Sequence, residues 1–403
     1  MNMTRTLGFL AALFISLALL PSTAQAVLCG VGGGQCFVVA AGGNSNGAAT
    51  WSATSGGTTC SGTTCPTGPA ATDLICLDSL GGNLTLNALL TVVAFDESGT
   101  CTGGSGSPYT GTLNAGSALT LTNGTKFYVS AGSTWTASNQ QMTFSPASGV
   151  TLPITTNGKA LNPMLITGAD NTAIVQLQDT LSSGNAAGGY LLIITTGKFD
   201  TNNQNVNNYN LQSSNSNTRA VNCGTSTFTW NGAYGGVTIL NFSTGGTPTY
   251  TCTGATFNFT NTSTTAGSAL FFFGTNTGAS GLGTMSFNKG GGGGYYIGSG
   301  PLAVGTLNLN DATLYLAALS VTATNFASTT SAGHYPLLST TATGAQATLS
   351  VASGTVNCKC ILRGINGSGG ATFTANPGFD AGQNSNWTFT APASGGGGGI
   401  IGG

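Results

Sequence analysis

From Leu302 to Phe326 the chain reads LAVGTLNLNDATLYLAALSVTATNF, and its apolar residues fall at every second position. Leu307 and Leu309 alternate with Asn308 and Asn310, Leu314 and Leu316 flank Tyr315, and Leu319, Val321 and Ala323 keep the rhythm. Period two turns one set of side chains inward and the other toward water, so the segment predicts three short strands. Gly305, the Asn310-Asp311 pair and the Ala317-Ala318 pair are the expected corners. A unit of this size cannot bury its own apolar face and has to stack on copies of itself.

Looser copies flank it. VTILNF, TYTCTG and ATFNFT lie between Val237 and Thr260; KFDTNNQNV, YNLQ and RAVNCGTSTFTW between Lys198 and Trp230; YPLLS, ATLSVA and VNCKCILR between Tyr335 and Arg363. Their irregular spacing of about 25 to 35 residues predicts an all-β chain, a right-handed parallel β-helix (solenoid) with uneven coils. A β-sandwich or meander shares the alternation and is the alternative. Residues 27–112 are expected to form a disulfide-rich N-terminal cap with strands at Cys36–Ala40, Leu74–Leu77, Asn83–Leu86 and Thr91–Phe95, because the open end of a stack exposes core and unpaired edges. The stack is expected over 113–364, with Ala173–Leu181 read as strand, followed by a closing segment at 365–393 and a flexible Gly-rich tail at 394–403.

Residues 1–26 have the plan of a secretory signal: Arg5, an apolar run from Leu7 to Leu20, Pro21, and the small-residue site Ala24-Gln25-Ala26. A membrane anchor needs about 20 apolar residues, and this run is shorter, so the expected product is secreted, without a membrane segment once the signal is removed. Export favours oxidation of the ten cysteines, Cys29, Cys36, Cys60, Cys65, Cys76, Cys101, Cys223, Cys252, Cys358 and Cys360. Their spacing fits no zinc site, and the single histidine, His334, lies far from the N-terminal group. Connectivity is open. Cys223 and Cys252 stand about one coil apart and could staple neighbours. Cys358 and Cys360 face the same way from one strand, so a bond between them is strained and a partner elsewhere is an equal alternative.

Only 4% of residues are charged, against about 25% in an ordinary globular protein. The surface must therefore consist of hydroxyls and amides. A formal net charge of −1 offers no attraction to phosphate backbones or anionic membranes, which argues against nucleic-acid partners. It also gives little repulsion between copies, so self-association, or association with other subunits of an appendage, is expected.

The acids are Asp73, Asp78, Asp96, Glu97, Asp170, Asp179, Asp200, Asp311 and Asp380. A glycosidase needs two carboxylates at a set separation; Asp96 and Glu97 are adjacent and should point to opposite faces, which leaves Asp179 with Asp200 as the best-placed pair. No coil carries the acid cluster of a calcium-dependent lyase, and His334 sits in GHYP without a nucleophile-elbow motif. The glycine clusters Gly290–Gly294 and Gly395–Gly399 lack the following helix of a phosphate loop. The expectation is a non-enzymatic protein with no cofactor, no metal and no catalytic residue, its lone charges acting as corners or hydrogen-bonded anchors. Candidate sugar-contacting rings are Trp51, Trp135, Tyr295 and Tyr296, with Trp230 and Trp387 as further tryptophans; packing into the core is the competing role.

Three stretches carry a resemblance: WSATSGGTTC with PTGPAATDLICLDSLGGNLTLN, FDTNNQNVNNYNLQSSNSNTRAVNCGTSTFTW, and ATLSVASGTVNCKCILRGINGSGGATFTANPGFDAGQNSNWTFTAP. They resemble segments of the β-helical tail or fibre structural proteins of tailed bacteriophages, the closing stretch most specifically. Cys358-Lys359-Cys360 stands where that pattern has a plain strand. The resemblance implies a structural role in a virion, with other virion subunits or a host-surface polysaccharide as partners, and transfers no catalytic residue. The same architecture would serve a secreted bacterial adhesin or glycan-binding protein.

Overall fold

The computed structural model of the chain describes residues 29–30, 32–57, 68–185, 189–232, 237–242, 248–260, 269–273, 281–288, 294–298, 301–317, 319–330, 334–341 and 344–390. The expected signal at 1–26, the expected tail at 394–403, both Gly clusters apart from Gly294, and Cys60 and Cys65 lie outside them. Among the described residues there is no α-helix, only one 3-10 turn at Ala48–Thr50, and the strands form sheets of 29, four and three members. Pairing between these strands is parallel except where Gln35–Val38 meets Trp51–Ser52. An all-β chain with parallel sheets excludes the antiparallel sandwich or meander as its plan.

Each strand pairs with one that arrives later by a short excursion, and inward positions match inward positions. Phe95 lies opposite Phe127, Phe127 opposite Ile154, and Ile154 opposite Leu177. A second column runs Val175, Phe199, Val221, Tyr250. A third runs Trp230, Phe259, Phe287, Leu309. All these side chains are buried. Rings in the third column stack nearly face to face, Trp230 on Phe259 with centroids 4.8 Å apart and Phe259 on Phe287 at 5.1 Å. That is the distance between neighbouring strands, so the backbone ladder itself sets the stacking.

Corners explain the asparagines. Asn157, Asn202, Asn203 and Asn208 all have positive φ, between 48° and 61°, a conformation that Asn tolerates better than other side-chain-bearing residues. The corner amides also reach back to the preceding strand: Asn157 Nδ2 donates to the Val129 carbonyl (2.7 Å) and Asn202 Nδ2 to that of Leu177 (3.2 Å).

Within the 302–326 unit the expected corners divide. Asp311 turns the chain, with φ 49°, but Gly305 does not, because Leu302–Asn310 is one continuous strand. At Gly305 an added Cβ would come 3.1 Å from the Gly283 carbonyl oxygen, so its glycine serves close approach of neighbouring strands. Ala173–Leu181 holds a strand at Ile174–Leu177 and the start of another at Leu181–Ser183, with Asp179 between them. Hydrogen-bonded neighbours lie closer in sequence than the expected spacing in places, Thr329 bonding Asn310 across 19 residues and Asn308 bonding Ser286 across 22, while Asn288 bonds Asn258 across 30, within it.

Strand pairing runs across the expected boundary at 112. Gln35–Val38, Leu74–Cys76, Leu90–Asp96 and Leu119–Tyr128 are successive parallel neighbours. The four-stranded sheet likewise joins Gly43–Asn44, Leu84–Thr85, Thr112–Asn114 and Thr134–Thr136. At the other boundary, Ile361–Arg363 pairs with Phe379–Asp380, which carries the ladder into the closing segment.

Among the described residues, four disulfides join Cys29 to Cys36, Cys76 to Cys101, Cys223 to Cys252 and Cys358 to Cys360. The last pair bonds internally across Lys359 instead of reaching a distant partner: Cys360 lies just beyond the end of the Thr355–Cys358 strand, where the alternation no longer applies, and both sulfurs are buried. Cys223–Cys252 spans 29 residues and ties two neighbouring strands. Replacing both cysteines by serine is expected to lower stability by about 2 to 4 kcal/mol through the freed loop entropy, read as a fall in the urea midpoint of the oxidised double variant relative to the oxidised parent; equal midpoints would contradict it.

Candidate functional site

Corner positions hold most of the carboxylates, and there they accept backbone N–H groups. Asp73, fully buried, accepts from the amides of Gly30 (2.6 Å), Gly34 (2.9 Å) and Ala70 (2.8 Å). Asp78 accepts from Ser55 Oγ and the amides of Leu80 and Ser105. Asp179 takes the amides of Thr156 and Asn157, and Asp200 those of Asn202 and the side chain of Asn222. Asp170 accepts from the hydroxyls of Ser148 and Thr172, which hold it down at about 2. Asp380 accepts from the Gly382 amide and Asn384 Nδ2. Asp179 and Asp200, the best-placed catalytic pair in the sequence, are thus each engaged in closing a loop. Asp96 and Glu97 are both buried, contrary to the expected opposite faces, since the strand ends at Asp96 and the chain turns there. Asp96 pairs with Lys126 Nζ at 2.6 Å, and that ammonium lies 5.3 Å from the Tyr128 ring centre.

Glu97 is the unusual acid. Its Oε2 accepts from the Ser130 amide (2.7 Å) and Ser133 Oγ (2.6 Å), while Oε1 is buried without a partner. Burial pushes its carboxyl from 4.5 to about 7, against the pull of those two donors. A folded-state value above the unfolded one means that the neutral acid's contribution is complete below pH 4.5 and is lost as pH rises through about 7. A displacement of that size corresponds to about 3 kcal/mol. Glu97→Gln is therefore expected to remove most of the fall in urea midpoint between pH 5 and 8; an unchanged slope in the variant would rule this out.

The sulfurs of Cys29 and Cys36 and a carboxylate oxygen of Asp73 lie within 4.8 Å of one another. The two sulfurs are bonded together, so this is a disulfide beside a loop clamp and offers no thiolates.

The candidate rings separate sharply. Trp51 and Tyr295 are buried and Trp135 is 9% exposed; each spends its polar group internally, Trp51 Nε1 on the Ser45 carbonyl, Trp135 Nε1 on Asn162 Oδ1 and Tyr295 Oη on the Asn288 carbonyl. These three are core residues, drawn inward by the large apolar area of their rings. Trp230 is likewise buried, and Trp387 packs on Phe373 at 5.0 Å. Tyr296 alone of the four remains at the surface, directly opposite Tyr315 on the next strand, both half-exposed.

The outward positions of five neighbouring strands form aligned columns that single-segment reading misses. One runs Thr227, Thr256, Thr284, Thr306, Asn325; the next runs Thr229, Asn258, Ser286, Asn308, Ala327. Asn288 lies opposite Thr260, and Asn310 opposite Thr329. Their amides lock together: Asn288 Nδ2 donates to Asn258 Oδ1, Asn308 Nδ2 to Ser286 Oγ (3.0 Å), Asn310 Nδ2 to Asn288 Oδ1 (3.1 Å), and Thr329 Oγ1 to Asn310 Oδ1 (2.8 Å). The signal is present in the repeated spacing Thr256-x-Asn258-x-Thr260, Thr284-x-Ser286-x-Asn288 and Thr306-x-Asn308-x-Asn310, but only register converts it into a surface. Compared with known proteins, the chain matches no family model, no curated protein and no solved structure.

Proposed function

We propose that the chain winds as a right-handed parallel β-helix and serves as a non-enzymatic extracellular structural protein of the tail or fibre type found in bacteriophage virions. The observation that carries this reading is the parallel pairing that continues from Gln35–Val38 to Phe379–Asp380, with local register shifts such as that at Val92/Ala94 and with aromatic and aliphatic columns inside it. Such a stack is stiff, because the strands within it are held on both sides and the inward side chains of neighbouring strands rest on one another. The engagement of carboxylates in loop closure supports the absence of hydrolytic chemistry. The near-absence of charge suits packing against other subunits. Mass spectrometry of particles encoded by the same genome is the test: peptides of this chain in purified virions are expected, and their absence from complete particles refutes the virion role.

A second reading, a secreted adhesin or glycan-binding protein, is favoured by the Tyr296–Tyr315 pair. Two outward rings on adjacent strands offer a platform for a sugar face. A glycan array with the wild-type chain and Tyr315→Ala decides it: binding lost in the variant supports the platform, and no binding by the wild type to diverse polysaccharides removes it.

A further inference from the structure

The five-strand outward face is uncharged, carries no aromatic residue and is regular in two directions. Rows repeat at the strand separation and columns at every second residue, a mesh of roughly 4.8 Å by 6.7 Å. Its members are Thr, Asn and Ser with a single Ala, partly exposed on the first four strands and exposed at Asn325, Ala327 and Thr329 on the fifth. Every large side chain of these strands points the other way, with Phe228, Trp230, Phe257, Phe259 and Phe287 buried beneath. A face without rings or charges is poorly equipped to hold a sugar or a phosphate.

We infer that this face binds the surface of crystalline water, and that the protein adsorbs to ice. The mesh is close in both directions to the oxygen repeats on faces of hexagonal ice, so waters hydrogen-bonded to successive rows fall near lattice positions. Each Thr hydroxyl offers one donor and two acceptor sites, and the Asn308 and Asn310 amides keep a second N–H after the bond to the neighbour, whereas Asn288 Nδ2 also donates to the Phe259 carbonyl (3.2 Å). Ordering costs little, because Thr is stiff at χ1 and the amides are already fixed by the bonds from Asn288 to Asn258, Asn308 to Ser286 and Asn310 to Asn288. The stacked rings below hold the face flat, Phe228 on Phe257 at 9° and Trp230 on Phe259 at 14°. Thr methyl groups between the hydroxyls add apolar contact with the ice surface. The inference rests on the strand register alone and does not depend on the virion or adhesin role.

The test uses the full-length oxidised protein, with single ice crystals grown in a nanolitre osmometer and uptake into a slowly grown ice mass. Wild-type chain is expected to arrest and facet the crystals and to enter the ice. Thr284→Tyr, which places a ring in the centre of the mesh at a position where a strand accommodates Tyr well, is expected to abolish both effects with the far-ultraviolet dichroism and urea midpoint unchanged. Thr143→Tyr, outward on the strand Met142–Ser145 away from the face, should leave both intact. If Thr284→Tyr fails to fold, Asn308→Lys is read in its place. Unhindered crystal growth and exclusion of the wild-type chain from ice overturn the inference, as does equal activity in a folded Thr284→Tyr or equal loss in Thr143→Tyr.

Discussion

Replacing Phe259 by alanine is expected to destabilise the protein by about 3 to 5 kcal/mol, the range for deleting a buried aromatic ring. Phe259 is fully buried and lies between Trp230 at 4.8 Å and Phe287 at 5.1 Å, with Tyr295 at 6.3 Å. Truncation removes contacts on both sides of the column, and the ladder hydrogen bonds hold the neighbouring strands apart, so the void cannot collapse. Asn258→Ala, one residue away and facing out, should cost less than about 1 kcal/mol. Urea unfolding of the two variants checks the pair. Equal losses would mean that inward and outward positions have been exchanged.

Arg219→Ala is the second large effect. This guanidinium is 1% exposed and has no carboxylate partner; it donates Nε to Ser213 Oγ (2.6 Å), Nη2 to the Ser213 carbonyl (2.6 Å), and Nη1 to the carbonyls of Asn215 (2.6 Å) and Asn217 (2.8 Å). It fastens the 213–217 loop over the end of the Arg219–Asn222 strand, beside Tyr250, whose hydroxyl also donates to the Ser213 carbonyl (3.0 Å). Hydrogen bonds to a charged group contribute about 1.5 to 3 kcal/mol each, and buried acceptors left bare add their desolvation, so a net loss of at least about 3 kcal/mol is expected. Lys cannot reproduce the planar fork; Arg219→Lys should recover only a minor part. Thermal unfolding of both variants measures it, and a lysine variant as stable as the parent would contradict this account of the site.

Alternation made the strands legible. Leu307, Leu309, Leu314, Leu316 and Val321 are all buried where the pattern put them, and parallel pairing supplies the neighbours that a unit too thin to bury its own face needs. Corners were harder to read. Gly305 looked like a turn, but glycine is equally what a continuous strand needs where a neighbouring backbone comes close, and sequence alone does not separate the two. The boundary at residue 112 rested on cysteine density and loop length, whereas the pairing of Leu90–Asp96 with Leu119–Tyr128 depends on long-range register.

Roles of single polar residues were the least visible. Nothing local marks Glu97 as buried beside Ser130 and Ser133, or Arg219 as the anchor of its own upstream loop, because both depend on where the chain returns. Trp51, Trp135 and Tyr295 have sequence contexts that favour the core over sugar contact without separating one ring from another, and all three are buried. The columns of Thr and Asn were present as repeated triplets, yet their function as one surface follows only once Thr256, Thr284 and Thr306 are known to be neighbours.

Paired-cysteine cross-linking across the outward face tests that register most directly. In Ser286→Cys/Asn308→Cys the two sites are directly opposed on adjacent strands, and in Ser286→Cys/Ala327→Cys they are two strands apart in the same column, roughly 9.6 Å by the spacing of a parallel sheet. Mild oxidation is expected to join the first pair readily and leave the second as free thiols. Failure of the first pair to join, or equal joining of the second, would contradict the parallel in-register ladder on which the proposed functions stand.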